Sequence, residues 1–163
     1  SIKFKDYRDI DSQYSNIASI EMFEAVGKKY WEKYFDVVKN SLVNSGKAAL
    51  QIITIDEKRS LNYQSQPDFI QQYIFPGGML PTKKELSAIN QKLGLDFNEV
   101  KSFGLSYAKT LRMWNNEFQN SWQDLVKLGF NQRFKRMWEF YLAYCETGFI
   151  SKSTDVSHFL INK

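Results

Sequence analysis

The sequence predicts an α/β fold built on a sheet that contains parallel strands. Two apolar runs, residues 17–20 and 47–55, flank a helical segment. Strand, helix and strand within about forty residues make a βαβ unit. Both runs are nearly continuous in apolar and small residues, the pattern of strands covered on both faces. Aromatic residues at helical spacing then fill much of the second half, enough to cover a sheet.

Residues 2–5 (Ile2, Lys3, Phe4, Lys5) alternate apolar and polar and read as a first strand. Asp6, Tyr7, Arg8 and Asp9 follow as a polar loop. After the strand at 17–20, a helix over 30–43 is expected from Tyr30, Tyr34, Phe35, Val38 and Leu42, spaced by threes and fours. Asn44-Ser45-Gly46 ends it, glycine suiting a left-handed C-terminal position. The strand at 47–55 follows. Pro67, at a first-turn position, opens a short helix with Asp68, Phe69 and Ile70. Phe75-Pro76-Gly77-Gly78-Met79-Leu80-Pro81 is a turn-rich loop. Thr82-Lys83-Lys84-Glu85 has capping-box spacing, Leu86, Ile89 and Leu93 supply the apolar stripe, and Gly94 stops the helix. Residues 95–103 read as a strand. Two long helical segments begin at Tyr107, with Gly129 between them, and the second carries Phe134, Met137, Trp138, Tyr141, Leu142 and Cys145. Residues 156–161 close the chain as a strand.

The 163 residues fit one domain. An apolar share of 43% excludes a disordered chain, and 8 Gly with 3 Pro exclude a collagen-like one. No run approaches the roughly 20 apolar residues that span a bilayer. The single Cys makes no internal disulfide, and no Cys/His cluster has zinc-ligand spacing, so no metal site is expected and a cytoplasmic setting is the simplest. A net charge of +4 suits an anionic surface or nucleic acid, but ordinary soluble domains often carry as much, and no nucleic-acid partner is expected. Ser1 is not an initiator Met and ordered-looking sequence begins at once, so a fragment or a processed chain is expected.

There is no P-loop, no Gly-rich nucleotide turn and no nucleophile elbow. His158 lies in an expected strand and reads as a packing or surface residue; Cys145, on a helix among Tyr141, Leu142 and Phe149, reads as an inert buried thiol. The informative feature is a pair of carboxylates directly after a strand, Glu21 and Glu24. In open α/β sheets ligands bind beyond the carboxyl ends of strands. Glu24 is equally well a helix-start carboxylate favoured by the dipole. Gln51, polar within an apolar strand, needs a partner or costs ~1–3 kcal/mol, and a satisfied core amide would meet that need. The late aromatic stripe of Trp138, Phe140, Tyr141 and Tyr144 suits a core, or the wall of a tunnel for long acyl chains.

Tyr7-Arg8-Asp9, the Ser19-Ile20-Glu21-Met22-Phe23-Glu24-Ala25-Val26-Gly27 segment and Tyr73-Ile74-Phe75-Pro76-Gly77-Gly78-Met79-Leu80-Pro81 together resemble the cyclopropane-fatty-acyl-phospholipid synthases and the mycolic acid cyclopropane synthases. Tyr107-Ala108-Lys109-Thr110-Leu111 with Trp114, and Arg136-Met137-Trp138-Glu139-Phe140-Tyr141-Leu142, continue the likeness over essentially the whole chain. The resemblance implies a partial Rossmann-like class I methyltransferase sheet, about strands 3 to 7, with flanking helices and an aromatic-rich helical pair. Residues 57–93 would be a substrate-side insert and 105–150 the helical pair.

The implied reaction is S-adenosylmethionine-dependent methyl transfer to a cis double bond of a phospholipid acyl chain, with bicarbonate as the base that allows ring closure. Positions matching the family's bicarbonate cradle are Glu24, Gln51, the backbone of Ile53, and Tyr107. Tyr7, Arg8 and Ile20 match cofactor contacts, and Phe75 an aromatic beside the reacting double bond, where a ring face attracts sulfonium and carbocation alike. Position 51 is His in the best-known members; Gln holds an anion but does not titrate near neutrality.

The family's Gly-rich cofactor loop, its acidic ribose-binding strand end and an upstream cradle Cys would all precede Ser1. The chain is therefore expected to be the C-terminal part of the methyltransferase domain, inactive alone. It is also expected to self-associate through an open sheet edge, and to work at the inner membrane surface. Two other readings are a methyltransferase of the same fold acting on a soluble small molecule, and a non-catalytic module binding lipid or a partner.

Overall fold

The computed structural model describes residues 2–163. A four-stranded sheet is formed by β1 (Tyr14–Ile20), β2 (Leu42–Ile55), β3 (Asp96–Ser102) and β4 (Thr154–Asn162), in the order β1-β2-β4-β3. β1 and β2 are parallel, joined through α1 (Trp31–Ser41) as the βαβ pattern predicts. β4 inserts antiparallel between β2 and β3, so the sheet is mixed. The remaining helices are α2 (Glu57–Ser65), α3 (Phe69–Tyr73), α4 (Lys83–Lys92), α5 (Gly104–Asn120), α6 (Trp122–Lys127) and α7 (Gln132–Ile150). None of the helices is long and apolar enough to cross a membrane, among the described residues.

The two faces of β2 divide the protein's interior. Successive strand side chains point to opposite faces. Ala48, Leu50 and Ile52 enter a buried cluster with Trp31, Tyr34, Phe35 and Val38 of α1, Leu86 of α4 and Phe159 and Ile161 of β4. Burying each such large side chain stabilises by about 1.5–3 kcal/mol. The α1 stripe runs i, i+3, i+4, i+7 through Trp31, Tyr34, Phe35 and Val38, as the spacing requires. Gln51 and Ile53 point the other way, and Ile53 packs on a second cluster of Ala108, Leu111, Leu142, Phe149 and Val156, where α5, α7 and β4 meet. That second face carries the site.

α4 begins as its sequence predicts: the Thr82 hydroxyl accepts from Glu85 N–H, and the Glu85 carboxylate accepts from Thr82 N–H. Gly94 takes φ +67° just after α4, where a side chain would be strained.

Several expectations are corrected. Residues 2–5 form no strand: no neighbouring chain pairs with their backbone, and Ile2 and Phe4 are fully exposed. β1 is not covered on both faces but lies at the sheet edge, with only Ile17 and Ser19 half-buried. α1 stops at Ser41 and β2 begins at once, so Asn44, Ser45 and Gly46 lie within β2. There β1 advances from Tyr14 to Asn16 while β2 advances from Leu42 to Lys47. Ser45, not Gly46, takes the left-handed backbone, and Gly46 serves close approach, since a Cβ would meet Val43 O at 2.8 Å. Pro67 precedes the Asp68 cap of α3 instead of entering its first turn. The aromatic region holds a third helix, α6, because the chain breaks at Ser121 as well as at Gly129.

Candidate functional site

Parallel pairing brings the carboxyl ends of β1 and β2 to the same end of the sheet, and the chain turns there directly after Ile20. Glu21 makes that turn with φ +49°, a left-handed backbone in a residue with a Cβ. Such a conformation costs ~1–3 kcal/mol and persists only where surroundings enforce it. The enforcing contact is Glu21 N–H donating to Gln51 O at 2.9 Å. One 3-10 turn, Phe23–Ala25, then presents Glu24 toward β2 while Phe23 is fully buried beneath it.

Glu24 Oε1 accepts the Ile53 backbone N–H at 2.6 Å, and its Oε2 is buried without a protein partner. Burial pushes the Glu24 carboxyl up to about 7; the nearby Glu21 charge adds to this, against the Ile53 hydrogen bond. Glu24 O also accepts Met79 N–H at 2.9 Å, which fixes the turn-rich loop over the site.

Glu21 collects two donors. Gln51 Nε2 reaches its Oε1 at 2.6 Å, and the Tyr107 hydroxyl reaches its Oε2 at 2.9 Å. An ionised carboxylate only accepts, so the Gln51 amide nitrogen must face Glu21 and its oxygen must face His158. His158 Nε2 lies 2.9 Å from Gln51 Oε1 and therefore carries the ring proton. A chain runs from His158 through Gln51 to Glu21, closed on the other side by Tyr107. Burial, then the Glu21 acceptor, raises the Tyr107 phenol well above its usual value, so it remains an O–H donor. Its ring packs on Phe149 at 5.1 Å.

Glu21, Glu24, Ile53 and Tyr107 stand at one side of a cavity of about 700 Å³. The rest of the wall is largely apolar and aromatic, with Phe75, Met79, Leu111, Trp114, Tyr141 and Phe149. Phe75 meets Tyr141 edge-on at 6.1 Å. Cys145 is in the wall too, its thiol pushed up to about 12 by burial and the Asp68 charge, the state of an inert thiol. Lys58 and Arg59 of α2 are exposed where they border the cavity.

The structure thus gathers Glu24, Ile53, Tyr107 and Phe75 round one cavity, with Gln51 joined to it through Glu21. Tyr7, Arg8 and Ile20 lie outside its lining. Tyr7 packs on Tyr34 with its hydroxyl buried and unpartnered. Arg8 forks onto Asp6 at 2.7 and 3.0 Å, and this pair holds the exposed Asp6 carboxyl down at about 2. Ile20 is 60% exposed at the end of β1.

Two further residues belong to the site, Glu21 and His158. The signal for Glu21 is a side chain at the turn directly after a strand, beside Glu24. The signal for His158 is its register opposite Gln51, which a single sequence does not fix. The bicarbonate cradle also reads differently once folded. All three of its donors, the Gln51 amide, the Ile53 N–H and the Tyr107 hydroxyl, are bonded to carboxylates of the chain itself. The residues present do not fit a further anion.

The family model described as mycolic acid cyclopropane synthetase matches residues 1–159. The tuberculostearic acid methyltransferase UfaA1 of Mycobacterium tuberculosis is 43% identical over 152 residues, 93% of this chain and 36% of that protein. The cyclopropane-fatty-acyl-phospholipid synthase of Escherichia coli is 34% identical over 149 residues, 91% of this chain and 37% of that protein. The chain therefore spans little more than a third of the length of these curated relatives. Mycolic acid cyclopropane synthase CmaA1, solved in complex with SAH and CTAB, superposes with a TM-score of 0.84 over 96% of this chain and 58% of that one. At 24% identity, this likeness is one of fold.

Proposed function

The chain belongs to the mycolic acid cyclopropane synthetase family, and from that premise we propose that it serves methyl transfer from S-adenosylmethionine to the cis double bond of an unsaturated phospholipid acyl chain, yielding a cyclopropane fatty acid. The observation that carries this reading is the cavity itself: about 700 Å³, lined largely by aromatic and aliphatic side chains, with Glu21, Glu24 and the Tyr107 hydroxyl gathered together in its wall. An acyl chain fills such a wall, and the carboxylate side is where a carbocation and a departing proton need negative charge. Phe75 and Tyr141 offer ring faces and edges to the same reacting centre.

When bound, S-adenosylmethionine supplies the methyl group. Tyr7, Arg8 and Ile20 are its proposed contacts, supported by the orphaned Tyr7 hydroxyl and the exposed Ile20 at the strand end. Arg8 is already paired with Asp6, so these three alone give weak affinity, and the 163 residues by themselves are proposed to be inactive. α2 and α3 supply the substrate side within 57–93, and α5 with α7 the opposite wall within 105–150. With the donors of the implied bicarbonate cradle already bonded to Glu21 and Glu24, the base is proposed to be a carboxylate of the chain. Lys58, Arg59 and the 80% exposed Leu61 on α2 suit a site at the cytoplasmic membrane surface, where anionic headgroups and acyl chains meet.

The test supplies vesicles of monounsaturated phosphatidylglycerol and methyl-labelled S-adenosylmethionine to the longest natural polypeptide that carries this sequence. Label recovered in acyl chains that have lost their double bond supports the reading. Label found only in soluble acceptors sinks it.

A further inference from the structure

We propose that Glu21 is the built-in base of this site, its carboxylate standing where an exogenous bicarbonate would otherwise be held. The inference deepens the proposed methyl transfer and rests on that reading. Three observations carry it. The donors that would grip a small anion, Gln51 Nε2 and Tyr107 Oη, are both spent on Glu21, at 2.6 and 2.9 Å. The third, Ile53 N–H, is spent on Glu24. Glu21 lines the cavity, so its carboxylate is placed where substrate carbon can reach it.

The backbone adds an independent argument. Glu21 sits at φ +49°, where glycine would be free of strain. A side chain held there at a cost of ~1–3 kcal/mol points to a use for the side chain. Glu24 completes the arrangement: with its carboxyl pushed up to about 7 by burial, it is largely neutral in mildly acidic solution and adds little repulsion beside Glu21. Two bare carboxylates so placed would repel.

The step balances without any further reactant. The π pair of the double bond forms a C–C bond to the methyl carbon of S-adenosylmethionine. The C–S bond breaks with its pair going to sulfur, leaving S-adenosylhomocysteine and a carbocation on the acyl chain. Glu21 removes one proton from the new methyl carbon, and the released C–H pair closes the three-membered ring. Glu21 ends as the carboxylic acid and returns its proton to solvent. Tyr107 and Gln51 hold the carboxylate in place throughout; His158 holds Gln51.

Two measurements decide the matter, both on the longest natural polypeptide that carries this sequence, as wild type, Glu21→Gly and Glu21→Gln. The first is titration with carbon-13 bicarbonate followed by NMR, which needs no turnover. No saturable binding is expected to wild type or to Glu21→Gln, and saturable binding is expected to Glu21→Gly, whose donors are freed. Binding to wild type, or none to Glu21→Gly, overturns the proposal. The second is lipid methylation in bicarbonate-free buffer. Wild type keeps its rate, Glu21→Gln falls by about 100-fold or more without rescue, and Glu21→Gly falls similarly but recovers with added bicarbonate or acetate. A wild-type rate that collapses without bicarbonate overturns the proposal. Absence of lipid methylation by every protein would instead defeat the functional reading, leaving the bicarbonate titration to judge Glu21.

Discussion

Gln51 and His158 face each other in register across antiparallel β2 and β4, and His158 Nε2 approaches Gln51 Oε1 to 2.9 Å. Glu21 fixes the nitrogen end of the amide and His158 anchors its oxygen end, so His158 acts on the site through Gln51. His158→Ala removes one of the two anchors and loosens the amide. His158 is exposed, so stability is expected to change by no more than ~0.5 kcal/mol. In the longest natural polypeptide that carries this sequence, turnover of the lipid substrate should fall about tenfold, the cost of ~1.4 kcal/mol in positioning, with KM unchanged. His158→Gln, which keeps a donor, should recover most of it. A shift of the Gln51 side-chain amide resonances in His158→Ala gives a readout that a loss of mere packing would not produce.

Glu24 makes the fold's stability depend on pH in a direction that can be worked out. Its carboxyl stands at about 7 in the folded chain, raised by burial first and Glu21 second, against an ordinary value of 4.5. The folded state thus holds the proton more tightly than the unfolded one. Below about 4.5 both states are protonated and there is no penalty; between 4.5 and 7 the penalty grows, and above 7 it is complete. At 1.36 kcal/mol per pKa unit, the full effect is on the order of 3 kcal/mol. Glu24→Gln keeps an oxygen for Ile53 N–H and removes the charge. It should match wild type near pH 4 and be the more stable protein at pH 8, as read by denaturant unfolding at both pH values. Equal stability at pH 8 would mean that Glu24 is better solvated than its burial implies.

Much of the fold was legible because its signals are local. The capping box at Thr82, the φ +67° glycine after α4 and the Trp31–Tyr34–Phe35–Val38 stripe depend only on neighbours in the chain. What was not legible depends on pairing between distant segments. The alternation at residues 2–5 has the period of a strand, yet no partner lies alongside it. Residues 44–46 have the composition of a helix stop, yet serve an irregular step in β2 against β1. The site divides in the same way. Glu21 and Glu24 after the strand end were visible as a pair, but the hydrogen bonds that give Gln51 and Tyr107 to Glu21, and Ile53 to Glu24, are made across 29 to 86 residues of sequence. The insertion of β4 beside β2, which brings His158 to Gln51, is a further long-range event.

Cys145 provides a probe of the cavity wall. Its thiol is pushed from 9.0 to about 12, by burial and then by the Asp68 charge. Three units correspond to about a thousandfold less thiolate at neutral pH, and thiolate is the reactive form. Alkylation by iodoacetamide should therefore run about a thousandfold slower in the folded protein than in urea. An amphiphile with a long alkyl chain, occupying the same cavity, should slow it further. Rapid labelling of the folded chain would show that the wall opens, and would weaken the picture of a lined acyl site.

β1 raises the question of association. It has one strand neighbour, β2, and its other edge offers unpaired backbone groups over Tyr14–Ile20. Tyr14 is 47% exposed and Ile20 60%, so apolar surface accompanies the open edge. Edges of this kind pair with other chains unless charge, proline or a bulge protects them. The irregular step between Tyr14 and Asn16 protects only the first part, leaving Asn16 to Ile20 in regular parallel register with Lys47 to Gln51. We propose that two copies of the 163-residue chain meet there. Sedimentation should show a concentration-dependent dimer in the wild-type chain. Ala18→Lys places a charge on an exposed position of that edge and should weaken the dimer about tenfold, or ~1.4 kcal/mol, without altering thermal stability of the monomer. A chain that stays monomeric at every concentration, or a dimer indifferent to Ala18→Lys, rules out pairing through β1.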